Sequence, residues 1–202
     1  MPFVSIEGID GSGKTTQVQL LCSALEAVGK NVIRTKEPDG GWLGLEVRAM
    51  LTKENRSLSR IEELLLLSAS RYDHVRSVVR PAVKAGNWVV SDRFVDSTFA
   101  FQAYGDEDLT ALFNAVTPLV VGDSLPDFTF VLDLPEQEAI GRRSGRADLG
   151  GDPAEAIRDF RAIRSGLLEA ARLWPDRCRV VDARGKETEI AARIWEELES
   201  GF

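Results

Sequence analysis

The stretch FVSIEGIDGSGKTTQ, residues 3–17, begins as an apolar β-type run on Phe3, Val4 and Ile6 and then changes character within one residue. Gly8, Gly11 and Gly13 follow, with Lys14, Thr15 and Thr16 behind them. Gly8 to Thr15 satisfies G-x-x-x-x-G-K-[ST] at every specified position, between a predicted strand and a predicted helix, the context that gives the pattern its meaning. Glycines let the backbone curl until successive N–H groups point at phosphate oxygens. The helix that follows turns its positive end to the same anion. In this arrangement Lys14 reaches the β- and γ-phosphates, and Thr15 offers its hydroxyl to Mg2+, which prefers oxygen ligands. A glycine turn without a ligand has no need of a Lys-Thr pair.

Further along, β-rich apolar runs alternate with helical patterns. FVSIE (3–7), NVIRT (31–35), WVVSD (88–92), FTFVLDL (128–134) and CRVVDA (178–183) read as five strands. Helical patterns are predicted near 13–28, 43–52, 59–85, 106–117, 135–146, 153–173 and 187–199. Short, nearly continuous apolar strands separated by helices predict an α/β fold with a parallel sheet covered on both faces. The apolar residues are spread evenly over 202 residues, so one domain over 1–202 is expected. No apolar run approaches the roughly 18 residues of a membrane span. Residues at the N-terminus do not form a secretory signal, and Cys22 and Cys178 are too few for a disulfide framework or a zinc site. The net charge of -7 argues against a nucleic-acid groove, since phosphate backbones are held by clustered Lys and Arg. A phosphate ligand here is therefore expected to be small.

A phosphate-binding loop specifies a nucleotide but not a reaction. A GTPase switch would carry Asn-Lys-x-Asp, which is absent, and a motor or assembly ATPase would need more chain than 202 residues provide. A kinase for a small acceptor remains, and here the sequence resembles a family. IEGIDGSGKTTQ, TKEPDGGWLGLEVRAML, LLLLSASRYDHV, VVSDRFVDSTFAFQAYG and DFRAIRSGLLEAA occur in the order and spacing of thymidylate kinases of the bacterial type, over nearly the whole chain. The segment D-R-[FY]-x-x-S-x-x-A-[FY]-Q discriminates best, because other nucleoside monophosphate kinases share the phosphate loop without it. The resemblance implies a doubly wound P-loop NTPase fold, a mobile lid at about 142–153 and a cytoplasmic homodimer. It also implies phosphoryl transfer from MgATP to dTMP, giving dTDP. The alternatives are a kinase for another nucleoside monophosphate or a deoxynucleoside, and a non-catalytic nucleotide-binding module.

Carried over by position, the resemblance implies Lys14, Arg93, Arg142 and Arg146 as the catalytic cations. ATP is expected on the loop residues Gly8, Ile9, Asp10, Gly11, Ser12, Gly13, Lys14, Thr15 and Thr16, with Arg143. The acceptor dTMP is expected on Asp10, Glu37, Pro38, Arg48, Leu67, Arg71, Arg93, Ser97 and Gln102. Mg2+ falls to Thr15, Asp10 and Asp92. Arg71 takes the family's thymine-reading position, and its guanidinium, which only donates, suits the O4 acceptor of thymine and not the amino group of cytosine. Leu67 stands where the family commonly stacks a Phe on the base, with Tyr72 as an alternative stacking partner. The family's EPGGT is replaced by EPDGG followed by Trp42. Gly11 leaves the phosphate loop without an arginine, so the lid cluster must supply one, the bacterial arrangement; Glu155 and Arg164 keep matching positions. His74, the sole histidine, is assigned no catalytic role, because the acceptor phosphate is already ionised.

Overall fold

The computed structural model describes residues 2–53, 57–144 and 159–201. Five strands, β1 (Phe3–Gly8), β2 (Val32–Lys36), β3 (Trp88–Asp92), β4 (Phe128–Asp133) and β5 (Cys178–Asp182), form one sheet in the order β2-β3-β1-β4-β5. Every pairing is parallel, with Val4 opposite both Val90 and Phe128. All five strands lie within one or two residues of their predicted positions.

The order follows from the crossovers. From β1 the chain passes through α1 (Lys14–Ala27) to the edge strand β2, and β3 then returns to lie beside β1. From β3 it crosses to the other side for β4. The connections leaving β1 and β3 thus run in opposite directions, which opens a crevice at the carboxyl ends of these adjacent strands. Gly8 ends one strand and Asp92 ends the other.

α1 and α9 (Glu187–Ser200) cover one face of the sheet, where Leu21 and Leu25 share an apolar cluster with Ile190, Ile194 and Leu198. α8 (Phe160–Leu173) covers the other, joined by α3 (Arg60–His74) and α6 (Glu107–Val121). On that side Phe99 packs edge-on to Trp174, with ring centroids 5.1 Å apart. α3 begins with a reciprocal cap between Ser59 and Glu62. It continues through a π-helical stretch, Val75–Val79, into α4 (Arg80–Lys84). The wider turn comes just before Pro81, which has no N–H to give to an α-helical ladder.

Three differences from the predicted elements stand out. A short helix, α5 (Val95–Thr98), runs into a second π-helical turn, Phe99–Ala103, where the sequence predicted none. Four helical residues show too little periodicity to be read. α6 extends past its predicted end through Pro118 to Val121, because a proline removes one ladder bond without ending the helix. α2 (Trp42–Thr52) and α7 (Glu136–Ser144) match, whereas the predicted start of the helix at 153 falls outside the described residues.

Cys22 and Cys178 are free and buried, and burial pushes their thiols up to about 11 and about 12. Among the described residues no helix is long and apolar enough to cross a membrane.

Candidate active site

β1 delivers its glycine loop into the crevice. Gly11 and Gly13 have φ of 86° and 93°, a region that side chains rarely adopt. A Cβ on Gly11 would stand 2.4 Å from the Ala139 carbonyl oxygen, so the absent side chain also lets the α7 backbone lie against the loop. Lys14, the first residue of α1, is almost buried; its Nζ donates to the Ile9 carbonyl at 3.1 Å and faces Asp10 Oδ1 at 3.4 Å. Next to it Thr15 Oγ1 donates to Asp92 Oδ2 at 2.7 Å. The N-terminal end of α1 and Lys14 together make an anion-binding surface.

β3 delivers Asp92 and Arg93. Arg93 is the one described residue other than glycine with positive φ, at 73°. Its backbone is held at both ends: the N–H donates to the Ile6 carbonyl at 3.0 Å, and the carbonyl accepts from the Ser91 hydroxyl at 2.7 Å. The guanidinium crosses to the glycine loop, donating from Nη2 to Asp10 Oδ1 at 3.1 Å and from Nη1 to the Gly8 carbonyl at 3.3 Å. It lies over the Phe101 ring, 5.1 Å from its centroid. Asp10 Oδ1 therefore faces two cations, one from each strand end.

Arg71, 3 % exposed, anchors the neighbouring region. Its Nε and Nη2 donate to Glu37 Oε2 at 2.9 and 2.5 Å, and Nη2 also reaches the Phe94 carbonyl and the Thr98 hydroxyl. Nη1 makes no hydrogen bond to the described residues. The other oxygen of Glu37 accepts from His74 Nδ1 at 3.0 Å, and His74 Nε2 lies 2.7 Å from the Thr35 hydroxyl. Burial alone would raise the Glu37 carboxyl, but the Arg71 guanidinium and the His74 hydrogen bond hold it below the usual carboxylate range. Ionised Glu37 can only accept, so His74 carries its proton on Nδ1. His74 is completely buried and satisfied within this chain of contacts, consistent with the non-catalytic role expected of it.

Other expected residues have specific surroundings. Leu67 is half-buried one turn before Arg71 on the same face of α3. Tyr72 lies on a different face and lines an outer groove with Trp42, so it does not share the surroundings of Arg71 that a substitute stacking residue would need. Glu37 and Pro38 are joined by a cis peptide bond, and the Ser70 hydroxyl donates to the Pro38 carbonyl at 3.0 Å. The EPDGG departure has a local consequence: Asp39 accepts from Arg48 Nε and pairs with Lys36 at 2.9 Å. Gln102 Nε2 donates to buried Glu63 at 3.0 Å. Ser97 stands between Arg93 Nη1, which donates to it at 3.0 Å, and Glu7, to which it donates at 2.5 Å. Arg142 donates to the Ala183 carbonyl at the end of β5, and Arg164 makes a two-pronged pair with Asp133. The Arg143 side chain, Arg146, Glu155 and most of the expected lid lie outside the described residues.

The sequence reading missed Glu7, Thr35, Glu63 and Thr98. A signal was present for Glu7, since a carboxylate in the middle of an otherwise apolar central strand is anomalous.

The profile of the thymidylate kinase family matches residues 6–194, nearly all of the strands and helices just described. The chain belongs to the thymidylate kinase family. A thymidylate kinase of Syntrophotalea carbinolica is 38% identical over 200 residues, covering 96% of this chain and 93% of that one. One from Dinoroseobacter shibae is 39% identical over 195 residues, covering 95% and 93%. The crystal structure of thymidylate kinase from Ehrlichia chaffeensis superposes with a TM-score of 0.76 at 32% identity, covering 98% of both chains. The thymidylate kinase fold therefore extends across the full set of described elements, including the crevice between β1 and β3.

Proposed function

We infer that this site transfers the γ-phosphoryl group of ATP to dTMP, giving dTDP and ADP. The observation that carries the reading is the convergence of Lys14 and Arg93 on one oxygen of Asp10. Two cations from opposite sides of the crevice meet where a donor and an acceptor phosphate would have to meet. Phosphoryl transfer between phosphates needs little covalent participation from the protein; positioning and charge neutralisation provide most of the catalysis. The glycine loop would hold the ATP phosphates, Lys14 would neutralise the transferring group, and Arg93 would bridge it to the acceptor. Arg142, Arg143 and Arg146 would complete the charge from the lid side. The Thr15 hydroxyl and Asp92 carboxylate, in direct contact, are hard oxygen donors of the kind Mg2+ takes alongside nucleotide phosphates. With Asp10 they would hold the ion, which supplies further charge neutralisation when bound. Coupled measurement of ADP release tests the assignment directly: release should require dTMP, and release independent of any nucleoside monophosphate would reject it.

Arg71 Nη1 is the guanidinium nitrogen left for the base, and Leu67 would cover the base face. Thymine and uracil each present O4 as an acceptor there, while cytosine would set an amino donor against a donor. A mismatched buried polar pair costs about 1–3 kcal/mol, or roughly 5- to 150-fold in kcat/KM. dTMP should therefore lead, dUMP follow and dCMP be poor. Leu67→Phe should tighten dTMP by restoring a stacking ring. Use of dCMP as readily as dTMP would show that Arg71 does not read the base.

We also propose a homodimer through α2, α3 and α6. Trp42 is 69% exposed and, with Leu65, Tyr72 and Val116, lines an apolar groove of about 600 Å³. Apolar surface of this kind needs cover. Sedimentation should show a dimer at micromolar concentration and a monomer after Leu65→Glu; a wild-type monomer would reject the proposal. The substrates and the two reduced, buried thiols suit a cytoplasmic setting.

A further inference from the structure

We infer that Glu7 positions Arg93 for phosphoryl transfer, acting through the Phe94 amide and the Ser97 hydroxyl. The inference rests on the role proposed above for Arg93. Glu7 points from β1 toward the side of the sheet that carries α5, and it is completely buried. Its Oε1 accepts the Phe94 N–H at 2.6 Å, the peptide group immediately after the left-handed backbone of Arg93. Its Oε2 accepts the Ser97 hydroxyl proton at 2.5 Å, which leaves the Ser97 oxygen free to accept from Arg93 Nη1 at 3.0 Å. One carboxylate thus holds the unusual backbone of Arg93 from the C-terminal side and sets the direction of its guanidinium through one hydroxyl. Both contacts need an acceptor, and an ionised carboxylate has acceptors on both oxygens, whereas an amide has only one.

Packing alone does not call for this residue. Around it stand Arg93 and Asp96 on the β3–α5 segment and Arg177 and Cys178 at the start of β5, with Asp10 reaching the same guanidinium from the loop. Burial, followed by the Asp96 charge, pushes the Glu7 carboxyl up to about 7. The neighbouring Asp96 has its own cation in Arg177, at 2.7 Å, and Arg93 is the cation whose charge favours ionised Glu7. An ionised group is unfavourable at this position unless it does something there, and what it touches is the residue proposed to bridge the two phosphates.

Glu7→Gln keeps the volume and one acceptor, and Ser97→Ala keeps the Phe94 contact but cuts the link to the guanidinium. Each should lower kcat about 10- to 100-fold, the scale expected for a misplaced catalytic group, while the KM for ATP moves little. In an Arg93→Ala background the same changes should have no additional effect on kcat, because the group they position is gone. A residue that merely stabilises the fold would continue to lower activity in that background. If Arg93→Ala retains wild-type kcat, the role of Arg93 fails and the Glu7 inference fails with it. If Arg93→Ala loses activity while folded Glu7→Gln and Ser97→Ala turn over normally, only the Glu7 inference fails. Losses that multiply with Arg93→Ala would equally overturn it. Should Glu7→Gln not fold, Ser97→Ala and its double mutant decide.

Discussion

Lys14→Ala should lower kcat about a thousandfold, the upper range for removing one preorganised charge from a transition state, and leave the melting temperature within a degree or so. The side chain is almost buried, yet its ammonium contacts only the Ile9 carbonyl and Asp10, and both belong to the glycine loop. No apolar cluster loses an atom that it packs against. A catalytic loss without a stability loss is therefore the expected signature, and it is measured by pairing steady-state kinetics with thermal unfolding. A folded Lys14→Ala protein with near-normal kcat would remove the kinase mechanism proposed here.

Glu37→Gln should have the largest effect on stability. The substitution keeps the shape and removes the charge, leaving Arg71 a buried cation without a counter-ion and His74 Nδ1–H facing an amide. Breaking one partner of a buried ion pair costs about 3–5 kcal/mol, which for a chain of this size is a drop of roughly 6–20 °C in the melting temperature. Activity should fall with it, since Arg71 would no longer be held where the base is proposed to lie. The KM for dTMP should rise while that for ATP moves little. The pH dependence has a definite sign. The folded-state carboxyl of Glu37 is held below its unfolded value of 4.5. Its stabilisation is thus fully present above about pH 4.5 and is lost as the pH falls through the lower folded value. The wild type should lose this contribution on the acid side and Glu37→Gln should not. Unchanged melting at neutral pH would show that Arg71 finds another partner and that Glu37 does not organise the pocket.

What was legible in the sequence and what was not differ in range along the chain. The glycine loop, Lys14, the five strands and the parallel α/β class could be read without a structure, because each depends on neighbours in the chain. Apolar alternation, a glycine where φ must be positive, and a lysine at a helix start are all encoded within a few residues. The identities of Arg71, Arg93 and Asp92 were visible by resemblance, but their partners were not. Thr15 meets Asp92 across 77 residues, Phe94 meets Glu7 across 87, and Arg71 meets Glu37 across 34. These contacts exist because β3 returns to lie beside β1, with β2 displaced to the edge, and local pattern carries no information about that order. Tertiary structure alone also decided that His74 is buried against Glu37 and that Asp39 pairs with Arg48. Hydrophobic periodicity tells which face of an element is covered, but a buried polar group is specified only by the partner that satisfies it, and here those partners come from distant strands and helices.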